Sequence, residues 1–372
     1  IVDYGDGSPA ESFTVNVSDA YLATATLTHT YADDGMYTLS VTVTDDDGHV
    51  AIDSTMVEIA NVAPEITAMT GPTGVAEDFA AAFLAAGFDP GDDTLTFTWS
   101  FDDGSPDQVG ANVLHSFADN GSYVITLTVS DEDGGETTQT RTVTVGNLAP
   151  QNVSAGGDRV VDEGELVALE AAFDDPGADE ATFSHLWQVV ADNGQTIADG
   201  RDASFSFTPW DDGQYTVTLT VTDKDGASAS TDLPVTAVNS APELTVPAEQ
   251  AGAEGSVLAI ADIGTFSDVG FSPDEAFTWT IDWGDGSPLE SGVVTDLVPG
   301  SAGSPTTGAF DHPHTCLDDG RSTVAVTVGD DDGGQDTQTF DIVVANVAPA
   351  IDLPDDPVVI TAGSVLRLDE QL

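Results

Sequence analysis

The chain has 372 residues, a length that suits three to four small β modules rather than one. Its 66 carboxylates stand against six basic residues, a formal net charge of −60, which excludes a nucleic-acid partner and an anionic lipid surface. The hydrophobic fraction of 40% is evenly spread with strand periodicity, so folded cores are expected rather than disorder. So acidic a surface needs cations, either divalent ions at fixed sites or a screening cloud at high ionic strength, and both point outside an ordinary cytoplasm. Cys316 has no cysteine to pair with, so no intrachain disulfide forms. No apolar run approaches the roughly 18 residues of a membrane span, and no direct membrane insertion is expected. The chain opens inside a predicted strand, Ile1-Val2-Asp3-Tyr4, and reads as an internal piece of a longer protein.

In chain order, a tight turn Tyr4-Gly5-Asp6-Gly7-Ser8-Pro9 follows the opening strand, and a step His29-Thr30-Tyr31 precedes the turn Asp33-Asp34-Gly35. The next strand, Tyr37-Thr38-Leu39-Ser40-Val41-Thr42-Val43, alternates apolar and hydroxyl residues, as a strand with one face on a core does. A second acidic turn, Asp45-Asp46-Asp47-Gly48, leads to another strand and to the linker Asn61-Val62-Ala63-Pro64, whose proline ends the ladder. The linker pattern Asn-x-Ala-Pro begins at Asn61, Asn147, Asn239 and Asn346, giving spacings of 86, 92 and 107 residues. The two acidic turns recur in register, as Asp119-Asn120-Gly121 with Asp131-Glu132-Asp133-Gly134, Asp211-Asp212-Gly213 with Asp223-Lys224-Asp225-Gly226, and Asp318-Asp319-Gly320 with Asp330-Asp331-Asp332-Gly333. Three markers held in register four times define a tandem repeat. The predicted modules are 1–60, lacking its early strands, then 65–146, a divergent 151–238, 243–345 with an extra loop around 299–307, and 350–372 as the start of another.

The tight turn recurs as Phe101-Asp102-Asp103-Gly104-Ser105-Pro106 and Trp283-Gly284-Asp285-Gly286-Ser287-Pro288, and the His step as His115-Ser116-Phe117. This order of motifs resembles the PKD (polycystic kidney disease) domain of bacterial and archaeal surface proteins and secreted hydrolases, over nearly the whole chain. The resemblance implies an all-β fold of tandem seven-stranded Ig-like sandwiches, arranged as beads on a string and used as extracellular binding modules and spacers. The 151–238 module departs from it, with Trp187-Gln188-Val189-Val190-Ala191-Asp192-Asn193-Gly194 in place of the turn and Phe207 in place of the His.

With strands lettered A to G, the B–C and F–G loops of each sandwich lie at the linker end. The F–G loops supply Asp131 and Asp133, Asp223 and Asp225, and Asp330 and Asp332. The B–C loops supply Asp89 and Asp92, Asp174 and Asp175, and Asp268, and the linkers add Asn61, Asn147 and Asn239. These oxygens are the expected ligands of Ca²⁺, a hard cation that takes six to eight of them. The layout is similar to cadherin junctions, by analogy only, and solvated acidic turns remain the alternative. Glu77, Glu163 and Glu254 lie in the A–B turns and face the next module. An EF-hand is excluded, because its glycine belongs at the sixth loop position and helices flank it.

No catalytic residues are expected. The carboxylates sit in repeated turns rather than as a spaced pair in a cleft, and neither a nucleophile elbow nor a His-Glu-x-x-His motif occurs. His312, His314 and Cys316 alternate as a transition-metal site requires, but register with Tyr31 and Phe117 assigns Cys316 to the core. Trp99 and Trp187 are predicted core residues, and Trp210 is the one expected to be exposed.

The expected function is a non-catalytic extracellular adhesion or binding stalk, or a spacer, secreted or on the cell surface. Its expected partners are a protein or carbohydrate ligand at a cell surface or in the extracellular matrix, and neighbouring modules of the same longer chain. The alternative is the accessory region of a large secreted polysaccharide- or protein-degrading hydrolase. Lys224 is the only lysine, a composition that also fits a saline habitat.

Overall fold

The computed structural model describes residues 1–15, 24–91, 93–177, 182–350 and 362, and every regular element among them is a β-strand. The expected segment 350–372 lies almost wholly outside the described residues. The chain forms two compact units, one of 1–154 with 171–186 and 219–231, the other of 155–170, 187–218 and the chain from 232 onward.

The first unit opens with a sheet of Val2–Asp3, Gly35–Thr44 and Val50–Ile59, all antiparallel. Leu39, Val41 and Val43 share one face of its central strand, and no second sheet among the described residues covers that face, so Val43 is 62% exposed. The next segment forms a full sandwich. Glu65–Thr70, Ala81–Phe88 and Asn112–His115 make one sheet. Gly74–Ala76, Glu136–Gly146, Gly121–Ser130, Thr96–Ser100 and Gln108–Val109 make the other, in that order. Gly121–Ser130 alternates Ile125, Leu127 and Val129 inward with threonine and serine outward, so one sheet face is apolar and buries against the other sheet. Trp99 lies opposite Leu127 across the sheet and is fully buried, as its strand position predicts.

The tight turns and the His steps meet in space. Asp103 Oδ1 accepts bonds from the Ser105 amide at 3.0 Å and hydroxyl at 2.5 Å, while its Oδ2 lies 2.7 Å from His115 Nε2. The His115 ring stacks on Phe101 with centroids 3.8 Å apart. The same clasp joins Asp6 to His29 at 2.6 Å beneath Tyr4, and Asp285 to His314 at 2.7 Å beneath Trp283. Two hydrogen-bonding side chains and a stacked ring thus pin a hairpin to the strand that follows it, and the repeated geometry is structural. In the 151–238 segment Asn193 takes over, donating to the Asp212 carbonyl at 2.8 Å and to the Tyr215 hydroxyl at 2.7 Å. That substitution explains how the segment lacks both the turn and the His.

In the second unit, Arg159–Asp162 runs parallel to Ser228–Val238, and Val167–Glu170 pairs with Ser204–Phe207. Beyond the third linker another sandwich forms. Its first sheet is Glu243–Thr245, Gly264–Asp268, Thr306–Phe310 and Asp296–Val298. Its second is Gln250–Ala253, Gln335–Ala345, Gly320–Gly329, Thr278–Asp282 and Glu290–Val293. The loop expected around 299–307 is partly strand, because Asp296–Val298 pairs with Thr306–Phe310 and Ser301 bridges Ser304 at the tip. Gly308 permits this pairing, since a Cβ there would stand 2.5 Å from the Phe266 ring. Trp210, expected to be exposed, is half-buried instead, and its carbonyl accepts the Phe271 amide at 2.8 Å.

Leu127→Ala removes a fully buried side chain from a close-packed core, so the unfolding transition of that sandwich in urea should lose about 2–5 kcal/mol. The transitions of the other sandwiches should stay in place, and a uniform shift of all of them would contradict separate cores.

Candidate cation sites at the linkers

Each of the first three linker asparagines is tied to the F–G loop of the module it leads into. Asn61 Nδ2 donates to Asp131 Oδ2 at 3.0 Å, Asn147 Nδ2 to Asp223 Oδ2 at 3.0 Å, and Asn239 Nδ2 to both Asp330 oxygens at 3.2 Å. The other oxygen of each aspartate folds its own loop, accepting from Asp133 and Gly135, from Asp225 and Ala227, and from Asp332 and Gly334. Asp-x-Asp-Gly is therefore an Asx-type turn with a brace to the linker. The Asn61 amide holds the Asp131 carboxyl below its ordinary range.

Beside each brace lies a group of buried carboxylates. At the third linker Glu163 and Asp268 are each 3% exposed. Glu163 Oε1 accepts the Ser240 amide at 2.9 Å, and Asp268 Oδ1 accepts the Gly270 amide at 2.7 Å. Asp268 Oδ2 and Glu275 Oε2 are shielded from solvent and accept no hydrogen bond. A Cβ on Gly270 would lie 3.0 Å from an oxygen of each and 3.3 Å from the Glu163 carboxyl carbon, so glycine leaves open the space these three share. Burial pushes Glu163 and Glu275 up to about 8 and Asp268 to about 6, and repulsion from neighbouring carboxylates, Asp211 among them, adds to it.

The second linker repeats the arrangement. Glu77, 1% exposed, accepts the Leu148 amide at 2.6 Å, and a Cβ on Gly177 would meet its carboxyl at 2.8 Å. Both Asp175 oxygens are shielded from solvent there. At the first linker Asp89, Asp93 and Asp131 bring carboxylate oxygens within 4.8 Å of one another, and Asp89 Oδ2 and Asp93 Oδ2 are buried without a partner. Desolvation and the neighbouring Asp89 push Asp93 up to about 6.

A second acidic group lies outside each of two linkers. Asp33, Asp34, Asp93 and Asp133 cluster at the first, and Asp211, Asp212 and Asp332 at the third. At the second linker the equivalent place holds an ammonium. Lys224 stands where the other loops have Glu132 and Asp331, and it bonds Asp119 at 2.7 Å and also Asp225. Where the chain supplies its own cation, that cation sits between the E–F turn of one sandwich and the F–G loop of the next.

Several residues expected as ligands lie elsewhere or act otherwise. Asp92 is outside the described residues. Asp174 is exposed and accepts from Asn152 at 2.9 Å, so Asp175 rather than Asp174 matches Asp89 and Asp268. Asn61, Asn147 and Asn239 turn their amide nitrogens to the aspartates, as braces. Asp225 is occupied by Lys224. Asp33, Asp34, Asp93, Asp211, Asp212 and Glu275 were not among the expected ligands, and Glu77 and Glu163 were expected only to face the next module. The in-register acidic E–F turns were the available signal, and they read as turn formers.

Tandem sandwiches of this kind define a class of Ig-like repeat proteins. A PKD domain family model matches residues 61–145 and a second, distinct PKD domain model matches 155–237, so the chain carries PKD domains in tandem. PKD repeats are in general non-catalytic binding or spacer modules. Among solved structures, Sidekick-1 immunoglobulin domains 1–5 are similar at 14% identity, covering 86% of this chain and 68% of that one with a TM-score of 0.30. Drosophila N-cadherin EC1-4 is similar at 13% identity, with coverage of 87% and 88% and a TM-score of 0.24. A Bacteroides ovatus mixed-linkage glucan utilization locus protein, SGBP-B, in complex with a heptasaccharide is similar at 17%, with coverage of 77% and 71% and a TM-score of 0.21.

The raised carboxyls give pH a definite sign. Groups with folded values of about 6 to 8 and unfolded values near 4 bind protons on folding, so their contribution is full below about pH 4 and lost as pH rises through 6 to 8. In EDTA the melting temperature should therefore rise as pH is lowered from 8.5 to 6. A flat or falling profile over that interval would contradict the buried clusters.

Proposed function

We propose that this chain is a non-catalytic extracellular stalk or spacer whose sandwiches are locked to one another by calcium at the linkers. The observation that carries the reading is Lys224, an ammonium in the place where the first and third linkers gather only carboxylates. The orphaned oxygens of Asp89, Asp93, Asp268 and Glu275 support it, because a buried carboxylate without a donor is costly unless a cation neutralises it. Hard oxygen donors in this number suit Ca²⁺. In the place that Lys224 takes at the second linker, Asp211, Asp212 and Asp332 would hold an ion at the third and Asp33, Asp34, Asp93 and Asp133 at the first, and the orphaned oxygens of Glu275 and Asp268, beside Glu163, and of Asp89 and Asp93, beside Asp131, would hold another. These ions would supply the positive charge that lets two acidic loops and a linker pack together.

The architecture supports adhesion to, or presentation of, a protein or carbohydrate ligand outside the cell. Among the described residues no helix is long and apolar enough to cross a membrane. An accessory region of a secreted hydrolase is compatible with the same sandwiches, and retention on insoluble polysaccharide or collagen would favour it.

A thermal melt with calcium, with EDTA, and with EDTA plus sodium chloride at matched ionic strength tests the proposal. Calcium at micromolar to millimolar concentration should raise the melting temperature well beyond the sodium chloride control. Equal rises would reduce the clusters to diffusely screened charge. Asp268→Asn should weaken the calcium response, and Lys224→Glu, which restores the acidic pattern, should lower stability in EDTA and recover it with calcium.

A further inference from the structure

The clasp of the fourth module, residues 243–345, departs from the other two in a way that changes its chemistry. In the first two, the His packs edge-on against an aromatic two residues later, Tyr31 or Phe117, at centroid distances of 4.9 and 4.7 Å. That ring packs in turn on a tyrosine, Tyr37 or Tyr123, whose hydroxyl caps the E–F turn by donating to the Asp33 or Asp119 carbonyl at 2.9 Å. In the fourth sandwich both rings are gone. Cys316 replaces the first and Ser322 the second. A cavity of about 410 Å³ occupies the region, lined by Asp285, Thr315, Cys316, Asp319, Arg321 and Ser322 among others.

We propose that Asp285, His314 and Cys316 form a binding site for a borderline-soft divalent transition metal such as Zn²⁺, separate from the linker sites. A carboxylate oxygen, a ring nitrogen and the thiol sulfur all lie within 4.8 Å of one another. Zinc holds such atoms at about 2.0–2.3 Å, so small side-chain rotations close the set, and the cavity, which Asp285 and Cys316 line, leaves a fourth position for water. His314 and Cys316 are buried, 8% and 5% exposed, the first stacked on Trp283 and the second packed in the core, which preorganises two ligands of the three. Arg321 does not oppose a cation there, because Asp341 at 2.6 Å and Glu249 at 2.7 Å neutralise it. A mixed sulfur, nitrogen and oxygen donor set discriminates against Ca²⁺, which the all-oxygen linker clusters suit. Binding would displace the thiol proton to solvent and leave a metal thiolate, and the ion would replace the proton between His314 Nε2 and Asp285 Oδ2, which would pass to Nδ1 through solvent.

The sole cysteine makes the test specific. The reduced 372-residue chain is titrated with Co²⁺ in excess calcium, and a thiolate-to-cobalt charge-transfer band in the near ultraviolet is read. One equivalent should produce the band, Zn²⁺ should abolish it, and alkylation of Cys316 should slow at least tenfold with Zn²⁺ bound. Asp285→Asn keeps the thiol and should weaken Co²⁺ binding at least tenfold, and Ser322→Tyr, which restores a ring found in the sister sandwiches, should block it. No band at saturating Co²⁺ would overturn the proposal, as would a band of unchanged affinity in Asp285→Asn with circular dichroism showing both proteins folded.

Discussion

Carboxylate repulsion is the constraint around which this protein is arranged. A chain with a net charge of −60 places its most deeply buried acids at the linkers, where two loops of like charge and a turn of the preceding sandwich approach each other. Coulomb repulsion grows as the dielectric falls, so such an arrangement persists only with protons, a bound cation or an internal ammonium to neutralise it. The raised values of Glu163, Glu275, Asp268 and Asp93 express the proton, and Lys224 supplies the ammonium.

Within each sandwich the same residue types have the opposite role. Burial pushes the Asp285 carboxyl up, yet the Ser287 and His314 bonds more than offset it and hold it at about 2. Asp103 is lowered by its Ser105 and His115 bonds in the same way, against burial. These aspartates fold loops, whereas the linker acids face one another. Whether an aspartate stabilises or strains this protein depends on whether donors or other carboxylates surround it.

The clasp also shows how a repeated scaffold tolerates local change. The 151–238 segment exchanges the His–Asp pair for an Asn193 network and retains a turn capped by Tyr215, which reaches the Asp211 carbonyl at 3.1 Å. The fourth sandwich keeps the pair and gives up the capping tyrosine and its aromatic partner. Each module satisfies the same backbone by different side chains, which leaves room for a cavity in one of them.

The alternation of strands such as 121–130 and the fourfold Asn-x-Ala-Pro spacing were enough to read tandem β-sandwiches, because a period of two with one apolar face has few ways to bury itself. Burial of Trp99 and Trp187 was legible from their register at the strand C position, where Ig-like sandwiches keep a core aromatic. The convergence of the B–C and F–G loops near the linker was also legible, since alternating strand direction places them at one end. Only the tertiary structure decided that Asp175 rather than Asp174 is the shielded one, that the linker asparagines turn their nitrogens toward the aspartates, and that Glu77 and Glu163 close the clusters from the preceding sandwich. Those outcomes depend on which oxygen finds a donor across 70 or more residues of chain, as Asn61 and Asp131 do. Local pattern carries no record of such a pairing.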